Sequence, residues 1–394
     1  MADDADSAAS ASSVPNVRDS SVFLTGFPGF LGSELVARLL DRYPEDVPIR
    51  CLVQPKYRDL AEKRARGIER PGDEGDAGRI ELHDGDITES DLGLGDDYDD
   101  LQRDAVEVYH LAAAYDLGVS REVGTAVNVE GTRNVLDFAE GSPDLRRFQY
   151  VSTCYVSGRH DGVFTHRDLD VGQSFNNHYE ETKFRAEVEV QERMAEGLPA
   201  TVYRPAIAVG DSETGRTQKY DGPYYLLTLL RRQADLLPGV GDRVGVVPTF
   251  GDPRDYEVNV VPRDFVVDAI DHLSAREDSE GEVYQLCDPS PPTVAELLRA
   301  FERATDRRIL RVPLPEDAVG VARRSLEAAP ALADALGVEP AVLDYFVHPT
   351  SYTSQNAIRD LRGSGVACPP FGSYVEALVR FARRHPDVSS DAMV

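Results

Sequence analysis

Apolar positions in the first half of the chain switch between two periods. Short apolar or β-branched runs read as strands: "SVFLT" at 21–25, "IRCLVQ" at 49–54, "IELHDGD" at 80–86, "VEVYHLAA" at 106–113 and "RRFQYVST" at 146–153. Other stretches carry helical spacing. In "SELVARLLDRY" the residues Leu35, Val36, Leu39 and Leu40 share a face, and "TAVNVEGTRNVLDFAE" and "HYEETKFRAEVEVQERMAEG" follow the same rule. Strands alternating with helices predict an α/β fold built on a doubly wound parallel sheet, with ligand at the carboxyl ends of the strands. Beyond residue 210 the pattern is less regular. "PYYLLTLLRRQADLLP" and "VVPRDFVVDAIDHL" read as helices, and "EVYQLC" as a strand returning toward the sheet.

Two stretches match Gly-x-x-Gly-x-x-Gly, "GFPGFLG" at 26–32 and "GDEGDAG" at 72–78. The first lies between a strand and a helix. There its first glycine permits a tight turn, its second lets backbone approach a pyrophosphate, and its third packs helix on strand. The helix start adds unpaired N–H groups and a positive dipole end. The second follows polar residues, carries Asp73, Glu74 and Asp76 where an anion would sit, and precedes a strand. It reads as a loop. The chain therefore divides into a disordered acidic tail (1–19), a dinucleotide-binding domain (20–210), a substrate-binding region partly interleaved with the sheet (211–387) and a short tail (388–394).

Composition narrows the partners. Net charge is −27, and among 42 basic residues the only lysines are Lys56, Lys63, Lys183 and Lys219. Acidic residues are spread along the whole chain, a composition that resembles proteins of salt-loving organisms and that would repel a nucleic-acid backbone. No apolar run approaches the roughly 18–20 residues of a membrane helix. The amino terminus lacks the basic start and apolar core of a secretion signal, so a cytoplasmic protein is expected. Cys51, Cys154, Cys287 and Cys368 form no Cys-x-x-Cys pair and read as free thiols. His160, His166 and His178 lack metal-ligand spacing, so no metal is expected.

After the second strand comes "LVQPKYRDL". An NAD site of this kind carries an acid there for the ribose 2′-hydroxyl; here Gln54 ends the strand and Lys56 and Arg58 follow. Two cations suit a 2′-phosphate, so NADP(H) is favoured, with NAD(H) left open. Downstream, Tyr179 and Lys183 lie four apart on one helix face, and Ser152 and Thr153 end the fifth strand. Glycine turn, strand-end hydroxyl and Tyr/Lys helix occur in the order that would surround a nicotinamide.

These motifs, with "GDIT", "YHLAAAYDL", "NVEGTRNVLDFA", "RPAIAVGDSETG" and "CPPFGSYVEALVRF", make the chain resemble an extended short-chain dehydrogenase/reductase. Within that superfamily it is similar to the thioester-reductase-like, male-sterility-type branch. The resemblance implies a Rossmann sheet with a smaller C-terminal substrate-binding region. It makes Tyr179 the general acid, and Lys183 the charge that lowers the phenol's pKa and bonds the nicotinamide ribose. Thr153 would orient the carbonyl, with Ser152 as the neighbouring alternative. Asn128 would organise the central helix and proton relay, or serve only as a helix cap or turn residue. Gly26, Gly29, Phe30, Leu31 and Gly32 form the phosphate turn. Asp86 and Ile87 flank the adenine, Ala112 lies near the ribose, and Pro205 and Ile207 cover the nicotinamide amide. Tyr220, Tyr224 and Tyr225 either line the substrate pocket or pack in the core beneath it.

The implied activity is NADP(H)-dependent reduction of a carbonyl or acyl thioester, on an acyl thioester, aldehyde or ketone of small-molecule size. Homodimers are common in the superfamily. Two rivals stay open: a nucleotide-sugar epimerase or dehydratase using NAD, and a binding protein that senses the NADP redox ratio.

Overall fold

Val22 and Leu24 project from one side of the first strand and Phe23 from the other, and all three are fully buried. A strand apolar on both faces needs helices on both sides, and the computed structural model, which describes residues 20–69 and 78–388, supplies them. Seven parallel strands form the sheet: β1 (Ser21–Thr25), β2 (Ile49–Val53), β3 (Ile80–Asp84), β4 (Ala105–His110), β5 (Arg147–Val151), β6 (Ala200–Pro205) and β7 (Val283–Leu286). Their order is β3-β2-β1-β4-β5-β6-β7. The winding reverses between β1 and β4, which lie side by side with Thr25 opposite His110. A crevice opens at the carboxyl ends of strands at such a reversal. The amino-terminal tail, the second glycine pattern apart from Gly78, and residues 389–394 lie outside the described residues.

On one face, α1 (Gly32–Arg42) buries Leu35, Val36 and Leu39 against Val22 and Leu24. On the other, α2 (Gly131–Glu140) and α3 (His178–Glu196) bring Leu136, Phe138, Ala186 and Val190 against Phe23 and Phe148. Helix α3 starts at Asn177, whose side chain accepts from the Glu180 N–H, and stops at Gly197 in the left-handed region.

Chain beyond residue 210 also builds the sheet. Strand β7 pairs with β6 from Val283–Val202 to Leu286–Pro205, and α4 (Arg263–Ser274) packs beside α1. The stretch 260–273, expected as one helix, is divided. Val260–Pro262 is a short strand paired with Ile207–Val209, and the helix begins at Arg263. Pro262 explains the break, because its ring disfavours helical backbone at Val261. The remaining region has its own core, including Leu230, Leu298, Phe301, Tyr374 and Leu378. No helix among the described residues is long and apolar enough to cross a membrane.

Candidate active site

The glycine turn is built by close approach. Gly26 has φ +95°, and a Cβ there would stand 2.8 Å from the Ala112 nitrogen. A Cβ on Gly32 would stand 2.5 Å from the Gly26 carbonyl oxygen. Between them the Gly29 N–H donates to Gly26 O at 2.8 Å. No side chain caps the start of α1; the Ser33 N–H donates to the Gly29 carbonyl at 3.0 Å, and the helix start presents the positive end of its dipole to an anion. This cradle opens into a cavity of about 480 Å³ along the carboxyl ends of the strands. Gly26, Gly29, Phe30, Leu31 and Gly32 all line it, and the uncapped helix start beside the close-packed glycines fits the pyrophosphate of a dinucleotide.

Beyond the ends of β2, β3 and β4 the same cavity is lined by Lys56, Ile87 and Ala112 respectively. Arg58 is not among its walls. Its guanidinium is held 3.0 Å from Asp84, 3.2 Å from Glu62 and 3.1 Å from the Leu82 carbonyl. Asp86 also turns aside, accepting from Gln54 Nε2 at 2.8 Å and from the Thr88 N–H and hydroxyl at 2.9 Å each. Gln54 itself lines the cavity, as do Thr25 and Gly85.

At the opposite end Ser152, Thr153, Tyr179, Lys183, Pro205 and Ile207 converge. Thr153 accepts the Tyr155 N–H at 3.2 Å and donates to the Pro205 carbonyl at 3.4 Å, beside the Tyr179 phenol. Burial pushes that phenol well above its ordinary value, and the neighbouring Thr153 hydroxyl pulls the other way. Ser152 faces elsewhere, donating to Glu187 at 2.5 Å. Lys183 is 2% exposed and donates to the Tyr150 hydroxyl and the Val151 carbonyl, both at 2.9 Å. Loss of hydration pulls its pKa down to about 7, and Glu187 is the charge that opposes this. Glu187 is fully buried and ion-paired with the fully buried Arg204 at 2.6 Å. Sequence reasoning passed over Glu187, although it sits one further helical turn along the Tyr179–Lys183 face.

Asn128 lies in a π-helical stretch, Thr125–Glu130, that joins Arg121–Gly124 to α2. Its Oδ1 accepts from the Ala114 N–H at 2.8 Å and its Nδ2 donates to Thr182 Oγ1 at 3.0 Å. It ties the loop after β4, a cavity wall, to α3. Beneath Lys183 runs a buried polar chain. The Tyr150 ring stacks on His110, 5.6 Å between centroids, and His110 joins the Thr132 hydroxyl, 3.0 Å from Nε2, to Thr25 Oγ1, 2.7 Å from Nδ1.

The outer wall comes from segments without a motif. The ring of Tyr115 meets that of Tyr179 edge-on, 5.1 Å between centroids. Lys219 stands 4.8 Å over Tyr115, donates to its carbonyl at 3.0 Å and pairs with Asp221 at 3.4 Å. Asp221 is pushed up to about 6 by burial, with Lys219 opposing. Tyr225 also lines the cavity. Tyr224 is buried and accepts the Gly210 N–H, and the Tyr220 hydroxyl donates to the His385 carbonyl.

Comparison with known proteins agrees with this geometry. Residues 24–270 match the family described as Male sterility protein. The chain belongs to the male sterility protein family. It has the extended short-chain dehydrogenase/reductase fold, binds a nicotinamide cofactor and is an NAD(P)-dependent oxidoreductase. The chain is 27% identical over 282 residues to a non-canonical nonribosomal peptide synthetase, FrzA, of Cladobotryum sp., a match covering 68% of this chain and 26% of that protein. It is 32% identical over 284 residues to the glycine betaine reductase ATRR of Emericella nidulans, covering 68% of this chain and 21% of the relative. Thus this family member spans about a quarter of the length of such curated relatives. Among solved structures, the terminal R domain of the myxalamid PKS-NRPS pathway superposes with a TM-score of 0.74 at 25% identity, covering 93% of this chain and 91% of that one.

Proposed function

We propose that the protein reduces an acyl thioester, and by the same chemistry a simple carbonyl, using NADP(H). The observation that carries this reading is the meeting of Thr153, Tyr179 and Lys183 at one end of a cavity whose middle is the glycine turn. A reduced nicotinamide coenzyme bound there supplies a hydride. The protein's own groups do the rest. Thr153 and Tyr179 present hydrogen bonds to the carbonyl oxygen, and Tyr179 gives it a proton as negative charge develops. The Lys183 ammonium, held charged by Glu187, bonds the ribose and favours proton release from the phenol. With a thioester the product is a hemithioacetal, which collapses to aldehyde and thiol.

The preference for NADP(H) rests on Lys56, whose place on the wall near the end of β2 suits a 2′-phosphate. Arg58, engaged by Asp84 and Glu62, adds less. Asn128 serves by fixing Ala114 and Thr182, and Ser152 by anchoring Glu187. The related glycine betaine reductase and nonribosomal peptide synthetases support a thioester or carboxyl-derived substrate over a nucleotide sugar. The test is NADPH oxidation in molar salt against acyl-CoAs, aldehydes, ketones and nucleotide sugars. Net loss of reduced-nicotinamide absorbance with an acyl-CoA is expected. Conversion of a nucleotide sugar with no net loss would replace this reading with the epimerase one.

A further inference from the structure

Lysine is scarce in this chain. Of 42 basic residues four are lysine, and Lys56, Lys183 and Lys219 all line the cavity. Besides Lys183, a cation that the fold buries completely is an arginine, Arg204 against Glu187. The two cations differ in a way that matters here. A guanidinium keeps its proton at any working pH, whereas an ammonium gives one up readily when desolvated. Lys56 faces the adenosine end and Lys183 the nicotinamide end, which leaves Lys219 without a task.

Lys219 lies one ring away from the proton donor. Its ammonium sits over Tyr115, whose edge packs on Tyr179. The side chain is 19% exposed, and two of its three donors are spent on the Tyr115 carbonyl and Asp221. Reduction of a thioester needs protons at two places: on oxygen as the hydride arrives, and on sulfur as the carbon–sulfur bond breaks. Tyr179 serves the oxygen. The departing alkyl thiolate, whose conjugate acid lies near 8.5, takes up a proton at neutral pH and so calls for a donor of its own.

We propose that Lys219 is the acid that protonates the departing sulfur, an inference that rests on the thioester-reductase reading above. In the hemithioacetal the hydroxyl proton returns to the Tyr179 phenolate as C=O re-forms. The C–S bond breaks with its electron pair on sulfur, and sulfur takes a proton from the Lys219 ammonium. Aldehyde, free thiol and a neutral Lys219 amine result. The amine regains its proton from water, and Asp221 stabilises the restored charge.

Arginine at this position keeps the charge but withholds the proton, so Lys219→Arg is the decisive variant and Lys219→Met its companion. Single-turnover rates would be measured for an acyl-CoA and for the matching aldehyde, with NADPH fluorescence titration reporting that each variant folds and binds. Both variants are expected to lose about 10²-fold on the thioester, at least tenfold more than on the aldehyde. An aryl thioester, whose thiolate leaves unprotonated, should recover most of that loss. Restoration of the thioester rate by arginine, or equal losses on thioester and aldehyde, would overturn the assignment while leaving the proposed function intact. A wild-type enzyme active on aldehydes but inert on every thioester would overturn both.

Discussion

Replacing Glu187 with glutamine tests how the buried lysine is held charged. Residues four apart on a helix lie about 5–6 Å apart, and at an effective dielectric near 20 a unit charge at that range acts with about 3 kcal/mol. That is about a hundredfold in proton affinity. Lys183, which titrates at about 7 with Glu187 ionised beside it, should therefore lose its proton near pH 5 in Glu187→Gln. The direction follows from the charge. An ammonium is present below its pKa, so a reduction that needs it is fast at low pH and falls as pH rises through that value. In kcat/KM, which reports the free enzyme, the alkaline fall should begin about two pH units earlier in the variant. The same substitution leaves Arg204 buried without its counter-charge, at a cost of about 3–5 kcal/mol. For a chain of this length that corresponds to a melting temperature about 5 °C lower. The assay is NADPH oxidation across pH 4–10 on wild type and variant, with thermal melting alongside. Superimposable pH profiles would show that Glu187 does not set the charge of Lys183, whatever happens to stability.

Gly26→Ala should cut affinity for NADPH at least about tenfold by calorimetric titration, because its Cβ would meet Ala112 and Leu111 backbone at 2.8 Å with φ already at +95°. Wild-type affinity in that variant would mean that the turn is not the phosphate cradle. Lys56→Ala should weaken NADPH about tenfold more than NADH, whereas Arg58→Ala should change both by less than about threefold, its charge being shared with Asp84 and Glu62. Equal effects of Lys56→Ala on the two coenzymes would remove the argument for a 2′-phosphate.

Much of the scaffold was legible because its periods are local. Strand "SVFLT", the glycine turn and the Leu35/Val36/Leu39 face are contiguous, and all three stand where the pattern puts them. So too does α3 with Tyr179 and Lys183. The misplaced element was local as well: Pro262 halts what apolar spacing alone would extend as helix back to Val260. Partnerships across the chain were harder to read. That Arg58 would turn to Asp84, 26 residues on, or Ser152 to Glu187, depends on which strands and helices become neighbours. The π-helical turn around Asn128 leaves no mark in the hydrophobic spacing. Lys219 belongs to an irregular loop, and only its rarity as a residue type hinted at a role.

The seventh strand has a practical consequence. It runs from Val283 to Leu286 and pairs along the flank of Ala200–Pro205, every residue of which is buried. A fragment cut after residue 210 would bare a row of amide and carbonyl groups on an apolar ribbon, the arrangement that invites one polypeptide to stack on the next. The nucleotide-holding half therefore cannot be excised for crystallisation or grafting as a free-standing piece; anyone shortening this protein must keep the gene's later portion.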